Sequence, residues 1–266
     1  KPYSAAMLSS VWGFDLERSE ILCRAGEAIG LVIERKGHYR LTRKGAVLIG
    51  LPGVTALIEH HKILYQDLLN PVGFFKGVEE TQLSKFWPYV FGGGMDLKSS
   101  EVEKYSDLMS ESQHLVAADT LAAVNIPSVC RFLDVGGGKG TFVSELKKIY
   151  PKVDAAVFDL PGSHSENSGH RCIIGSFKED ELPAGYDIIS LVRILYDHRD
   201  ETIRDLLGKA YSALDKGGRL IVSEPMLGAD RPTLWGDVYF AMYTLAMSTG
   251  KTRSPHQVSG FIKDAG

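Results

Sequence analysis

An apolar run ending in Leu133-Asp134-Val135 passes directly into Gly136-Gly137-Gly138-Lys139-Gly140, and this junction leaves few folds open to the chain. The glycines follow a segment with strand character and precede residues 141–150, whose spacing predicts a helix. Such a loop brings backbone N–H groups and a helix N-terminus close to a ligand. Ala155-Ala156-Val157-Phe158 predicts a second strand, which completes a β-α-β unit. Residues 187–192 and 219–223 read as two further buried strands, separated by a helical stretch over 201–214 and a turn at Lys216-Gly217-Gly218. The expected architecture is α/β, a Rossmann-like doubly wound parallel sheet.

Asp159 ends the second strand, nineteen residues after Gly140, where a carboxylate accepts both ribose hydroxyls of an adenosine. Two cofactors meet that description. A dinucleotide carries a pyrophosphate, which Asp134, beside the glycines, repels. S-adenosylmethionine has no phosphate, and its amino-acid end requires an acidic residue and exposed backbone groups. The loop also departs from the strict dinucleotide spacing. The residues therefore favour S-adenosylmethionine, with Asp134 serving its amino-acid end.

The remaining sequence limits what surrounds this unit. With 266 residues, 44% of them hydrophobic, the chain can bury one large core and one small one. A formal net charge of −3 lacks the footprint of a dedicated nucleic-acid binder. Cys23, Cys130 and Cys172 follow neither zinc-site nor disulfide-framework spacing, and no signal peptide or apolar run of about 20 residues is present, so a cytoplasmic location is expected. In residues 1–50, a helical pattern, a hairpin turning at Lys36-Gly37-His38 and a new helix from Thr42 outline a winged helix. Its eight basic and five acidic residues admit DNA binding, but a dimerisation scaffold is the favoured reading.

Residues 51–125 are expected to be mainly helical, with one stripe through Leu57, Ile58, His61, Leu64, Tyr65 and Leu68 and another through Leu108, Leu115, Ala118 and Leu121. Between them, Phe86-Trp87-Pro88-Tyr89-Val90-Phe91 runs into three glycines. His60 and His61 lie on adjacent helix faces, a poor metal site, and no metal is expected. The division expected is 1–100 for dimerisation and a substrate wall, and 101–266 for cofactor binding. The stretch between Asp159 and Tyr186 is short and polar for a crossover helix and strand, so residues absent there, at Trp12-Gly13 and at both termini are expected.

Asp134–Gly140 with Tyr150-Pro151, Phe158-Asp159-Leu160-Pro161 and Gly217-Gly218-Arg219-Leu220 resembles the O-methyltransferases that join a winged-helix dimerisation domain to a Rossmann-like catalytic domain. A narrower resemblance lies in Ile58-Glu59-His60-His61, Trp87-Pro88-Tyr89, the stretch 191–198, Ser223-Glu224-Pro225-Met226 and 237–247. These are similar to the hydroxyneurosporene, or demethylspheroidene, O-methyltransferases of purple phototrophic bacteria. The resemblance implies methylation of the tertiary hydroxyl of an acyclic hydroxycarotenoid by a homodimer touching the photosynthetic membrane peripherally. Other acceptors it leaves open are phenolic, polyketide or bacteriochlorophyll-type hydroxyls. A cofactor-sensing winged-helix regulator is the reading from another class.

The resemblance further implies that Gly136 and Gly138 line the methionine end of the cofactor, Asp159 its ribose, and Leu160, Ser176 and Phe177 its adenine. Arg193, at a strand end facing the crevice, is a candidate for the cofactor carboxylate. Plant phenol-methylating relatives place a catalytic His where this chain has Tyr196, and an orienting Glu where it has Thr252. His198 is then the candidate base, with Tyr196 holding the acceptor hydroxyl and Asp197 or Asp237 as orienters. Phe86, Trp87, Tyr89, Phe240, Met242, Tyr243, Leu245 and Met247 are expected to wall an apolar acceptor groove.

Overall fold

A computed structural model describes residues 2–86, 99–161, 163 and 169–266. The chain divides into two compact units, Lys1–Glu59 and His60–Gly266, so the boundary expected at residue 100 falls inside the second.

In the first unit, helices α1 (Ala5–Trp12) and α2 (Leu16–Ala28) precede an antiparallel hairpin, β1 (Val32–Arg35) and β2 (His38–Leu41), and then α3 (Arg43–Gly50). Lys36 and Gly37 both take positive φ, +53° and +76°, the conformation of a two-residue turn that matches strand twist. Ser4, Asp15 and Thr42 cap the three helices through side chains that accept N–H groups of their first turns.

The second unit holds a five-stranded parallel sheet in the order β5-β4-β3-β6-β7. Its strands are β3 (Arg131–Val135), β4 (Asp154–Asp159), β5 (Arg171–Ile174), β6 (Tyr186–Val192) and β7 (Leu214–Ser223). β3, β4 and β6 are buried on both faces, as central strands covered by helices must be. Leu133, Val135, Ile189 and Leu191 face one layer with α9 (Asp200–Ala213) and α11 (Pro255–Ala265). Phe132, Val157 and Ile188 face the other, with α8 (Thr141–Ile149) and the end of α7 (Ser99–Ala123). α9 buries Ile203, Leu206, Leu207, Ala210 and Ala213 at the spacing of one helix face.

The chain winds outward from β3 through β4 to β5 and then returns to the other side of β3 as β6. The crevice at that reversal is where a doubly wound sheet binds ligands. Two local expectations are corrected. β5 forms from residues not read as a strand, and Lys216-Gly217-Gly218 lies within β7, where the pairing register shifts near Tyr186 and Ile188, instead of ending an element.

Of the two helical stripes, α4 (Pro52–Asp67) buries Leu64 but exposes Ile58 and Tyr65, and α7 buries Ala117 and Leu121 but exposes Ala118. These helices are covered along narrower strips than their apolar spacing suggests. α5 (Pro71–Lys76) and α6 (Gln82–Phe86) follow α4, and a smaller cluster joins Leu64, Phe74 and Leu83 to α10 (Ala241–Met247) through Tyr243, Ala246 and Met247. The expectations for Trp87 and Tyr89 fall outside the described residues, as do those for the Phe86 and Leu108 side chains, and of the polar stretch 162–168 only Ser163 is described.

Candidate active site

A cavity of about 410 Å³ opens at the C-terminal ends of β3, β4 and β6. Its floor is the glycine loop. Gly136 has φ +70° and donates to the Phe158 carbonyl at 2.8 Å, so the loop is tied to β4. A Cβ at this position would overlap the Ile194 side chain, and one on Gly137 would overlap Asp134 Oδ2 and press on Val157. Backbone therefore forms this wall where side chains have no room.

Gly136, Gly138, Asp159, Leu160, Ser176, Phe177 and Arg193 all border this cavity, which brings seven of the eight expected cofactor residues together. Asp159 is held by the loop itself. Its Oδ2 accepts the Gly138 N–H at 2.7 Å and its Oδ1 the Leu160 N–H at 2.6 Å. Ser176, where an acidic residue is usual, donates its N–H to Asp180 Oδ2 at 2.8 Å.

Asp134 is not on the wall. Strand alternation turns it beneath the loop, where it is 1% exposed and Oδ1 accepts the Ser190 hydroxyl at 2.6 Å. Burial pushes its pKa up to about 7 despite that bond, with Asp159 adding to the rise, and Oδ2 is left without a partner.

The opposite wall is the segment following β6. Arg193 takes a left-handed conformation, φ +61°, and its N–H donates to the Ser223 carbonyl at 2.8 Å. The N–H groups of Ile194, Leu195 and Tyr196 then converge on the Glu224 carboxylate at 2.7, 2.8 and 3.4 Å. Successive amides that enclose an anion in this way form a nest. From the other side, the buried Arg253 guanidinium donates to the carbonyls of Leu195 at 3.0 Å and His198 at 2.8 Å, and to Asp200 Oδ1 at 2.6 Å. Both sides of the Leu195–His198 backbone are thus fixed.

Within this segment, Asp197 and His198 border the cavity and Tyr196 does not. Tyr196 is 3% exposed and packs edge-on against Phe240, with ring centroids 6.2 Å apart. His198 packs edge-on against Phe177 at 5.3 Å. Burial, together with the nearby cations Lys178 and Arg253, lowers its pKa to about 4, so its imidazole is neutral at pH 7. Arg193 turns toward α7, donating to Ser112 Oγ at 2.8 Å and Gln113 Oε1 at 3.3 Å.

Asp237 does not orient this segment. Its Oδ2 accepts from the backbone N–H groups of Gly228 and Thr233, both at 2.8 Å, which ties a loop end instead. Thr252 is buried against the Thr244 hydroxyl at 3.1 Å. On the acceptor side, His60 bonds Tyr243 Oη at 2.7 Å and His61 bonds Tyr239 Oη. Tyr243 and Met247 are core residues and Leu245 is half exposed, so the expected groove wall does not form from them as a set. Among the described residues no cluster of His, Cys, Asp and Glu suits a metal.

Sequence reasoning missed Glu224 and Arg253. The available signal was a lone carboxylate directly after the apolar strand run that ends at Ser223. Arg253 gave none, because apart from the Lys251 carbonyl its partners, the Leu195 and His198 carbonyls and the Asp200 carboxylate, lie more than fifty residues away.

The cavity suits a nucleoside with an amino-acid tail. Its volume is that of a small-molecule site, its floor is backbone, and a carboxylate borders it where sugar hydroxyls are recognised. The O-methyltransferase domain family matches residues 65–266. Demethylspheroidene O-methyltransferase of Rhodobacter capsulatus is 44% identical over 258 residues, which cover 96% of this chain and 66% of that protein. The protein of that name from Cereibacter sphaeroides is 41% identical over 276 residues, covering 100% of this chain and 73% of its own length. Among solved structures, the S-adenosylmethionine-dependent methyltransferase SibL is similar with a TM-score of 0.76 at 24% identity, over 100% of this chain and 83% of that one. Human N-acetylserotonin methyltransferase in complex with SAM gives a TM-score of 0.68 at 22% identity, over 100% and 81%.

Proposed function

The chain belongs to the O-methyltransferase domain family, and on that premise we propose that it methylates the tertiary hydroxyl of an acyclic hydroxycarotenoid. S-adenosylmethionine is the methyl donor. The observation that carries the acceptor class is the 44% and 41% identity to two demethylspheroidene O-methyltransferases across nearly all of this chain.

When bound, the donor supplies a sulfonium methyl that is already electrophilic, so the protein's tasks are alignment and proton removal. Gly136 and Gly138 hold its amino-acid end, with Asp134 below them. Asp159 holds the ribose, and Leu160, Ser176 and Phe177 flank the base. Arg193 steers the carboxylate.

The proton of a tertiary alcohol leaves late, after the oxygen has begun to gain positive charge, so a weak base is sufficient. His198, neutral and on the cavity wall, takes this proton in our reading. Tyr196, expected to hold the acceptor hydroxyl, is enclosed behind the wall and bonded to Asp197, so it has no place against the acceptor. Labelled S-adenosylmethionine and an extract of hydroxylated acyclic carotenoids should give a labelled methoxycarotenoid, whereas a labelled phenol, polyketide or bacteriochlorophyll precursor would overturn the acceptor class. In the same assay His198→Ala is expected to lower kcat about 10- to 100-fold, and an unchanged rate at saturating acceptor would remove His198 from the chemistry.

The proposal extends to assembly and location. Residues 1–100 serve dimerisation and the substrate wall, and the exposed Val11, Ile21 and Ile29 of the first unit supply apolar contact area. In the second unit Leu69, Val72, Phe75 and Val78 are 62–83% exposed, which suits peripheral contact with a bilayer that holds the acceptor. No single helix among the described residues is long and apolar enough to cross a membrane. The protein is expected to elute as a dimer and to float with anionic vesicles, and Val72→Asp with Phe75→Asp should abolish flotation. Elution as a monomer, or absence from the vesicle fraction, would refute the respective claim.

A further inference from the structure

Met109, Ser112 and Gln113 fall at i, i+3 and i+4 on α7, so one face of the helix carries all three. Each accepts from the Arg193 guanidinium. Nη1 donates to Ser112 Oγ at 2.8 Å and to Gln113 Oε1 at 3.3 Å, and Nη2 donates to Met109 Sδ at 3.2 Å. Ser112 is the buried member of the set, 3% exposed, and its own hydroxyl proton goes to the Met109 carbonyl at 3.2 Å, which turns its oxygen lone pairs to Arg193. Met109 and Gln113 border the cavity together with Arg193, so the guanidinium is clasped between residues of the ligand wall. The main chain of Arg193 is held as well. Its left-handed φ of +61°, which a residue with a Cβ rarely adopts, is secured by the bond to the Ser223 carbonyl. Both ends of one cationic residue are thus fixed, and the groups that α7 brings to it are neutral.

Resting on the reading of Arg193 as the residue that steers the donor's carboxylate, we propose that Ser112 is a positioning residue, which acts through Arg193 to set the guanidinium for the amino-acid tail of S-adenosylmethionine. An arginine side chain loose on a cavity wall samples many rotamers and loses them when an anion binds. Here that order is imposed by folding, so binding does not bear its cost. Neutral acceptors also leave the charge uncancelled, and a cation in a partly enclosed wall attracts a carboxylate more strongly than one in water. A carboxylate at position 112 would fix the side chain equally well but cancel its charge. The Ser112 hydroxyl gives order without cancellation. Ser112 does not itself border the cavity, so its influence on a ligand passes through Arg193 and is confined to the part of the ligand that Arg193 meets.

The test is calorimetry with two ligands that share adenosine and a thioether: S-adenosylhomocysteine, which carries the amino-acid tail, and methylthioadenosine, which lacks it. Ser112→Ala should weaken S-adenosylhomocysteine about 5- to 20-fold and leave methylthioadenosine within about twofold of wild type. Ser112→Thr, which keeps the hydroxyl, should recover most of the loss. In an Arg193→Gln background Ser112→Ala should have no further effect, because two residues that act through one contact are not additive. An equal loss for both ligands would make Ser112 a packing residue and overturn the inference. So would undiminished affinity for S-adenosylhomocysteine in Ser112→Ala, or an additive loss in the double variant. Should Ser112→Ala not fold, Ser112→Cys, whose sulfur is a weaker acceptor, gives the same comparison, and equal effects on the two ligands overturn the inference there too. Selective loss in Arg193→Gln with none in Ser112→Ala sinks this inference alone. If Arg193→Gln does not separate the two ligands, the carboxylate reading of Arg193 fails and this inference with it, and if wild type binds neither, the donor reading fails first.

Discussion

Gly137→Ala is expected to weaken binding of S-adenosylhomocysteine by about 10- to 100-fold, the equivalent of 1–3 kcal/mol of overpacking. Gly137 does not need a positive φ, so the effect is steric. Its new methyl would overlap Asp134 Oδ2 and come within 3.1 Å of Val157 Cγ1. Neither neighbour yields easily. Asp134 is held by Ser190 within the sheet, and Val157 is 1% exposed. The loop must therefore rise into the cavity proposed for the donor. Gly208→Ala is the control, because it lies in α9 with open space around it and should stabilise the fold by about 0.5–1 kcal/mol. Calorimetry on both variants checks the prediction, and unchanged affinity in Gly137→Ala would refute the assignment of the loop to the donor.

Arg253→Ala is expected to destabilise the second unit by about 2–3 kcal/mol, read from the urea midpoint, and to lower kcat by more than the loss of folded protein explains. The guanidinium is 2% exposed and joins Asp200 to the carbonyls of Leu195, Lys251 and His198. Removing it leaves three carbonyls and a half-exposed carboxylate to be satisfied by water. The estimate lies below that for a fully buried pair because Asp200 is 33% exposed and retains Lys251 at 3.3 Å. Arg253→Lys should recover little, since an ammonium does not span the directions of a planar fork. A Lys variant with wild-type stability and rate would show that charge alone suffices.

The sheet was legible in the sequence because its signals are local. Segments 131–135 and 187–192 are mostly apolar over a strand length, and the glycines between Val135 and Thr141 mark the turn into a helix. β5 was not legible because Arg171-Cys172-Ile173-Ile174 is only four residues long and follows a polar stretch. Its strand state depends on pairing with β4, a tertiary contact.

That Gly136, Gly138 and Asp159 border one cavity was legible for the same reason as the loop, since they sit at element ends whose positions the pattern sets. Asp134 shows where that reasoning stops. Its place in the motif is local, but its distance from the cavity follows from the alternation of β3 and from Ser190, 56 residues later. The stretch after β6 was legible as a motif and not as geometry. Sequence spacing does not reveal that Tyr196 turns inward while Asp197 and His198 face the cavity, because a short 3₁₀ turn over Leu195–Asp197 decides it. Nor does it reveal Arg253, whose partners are three carbonyls and the Asp200 carboxylate.

The double anchorage of the stretch after β6 has an evolutionary consequence. Glu224 grips its amides and Arg253 its carbonyls, so the path of the main chain from Ile194 to His198 is set by residues elsewhere. The side chains carried there are correspondingly released from any duty of shaping the loop. Side chains at 197 and 198, which border the cavity, can be exchanged with little change to the main-chain path, whereas Tyr196, packed in the core against Phe240, cannot.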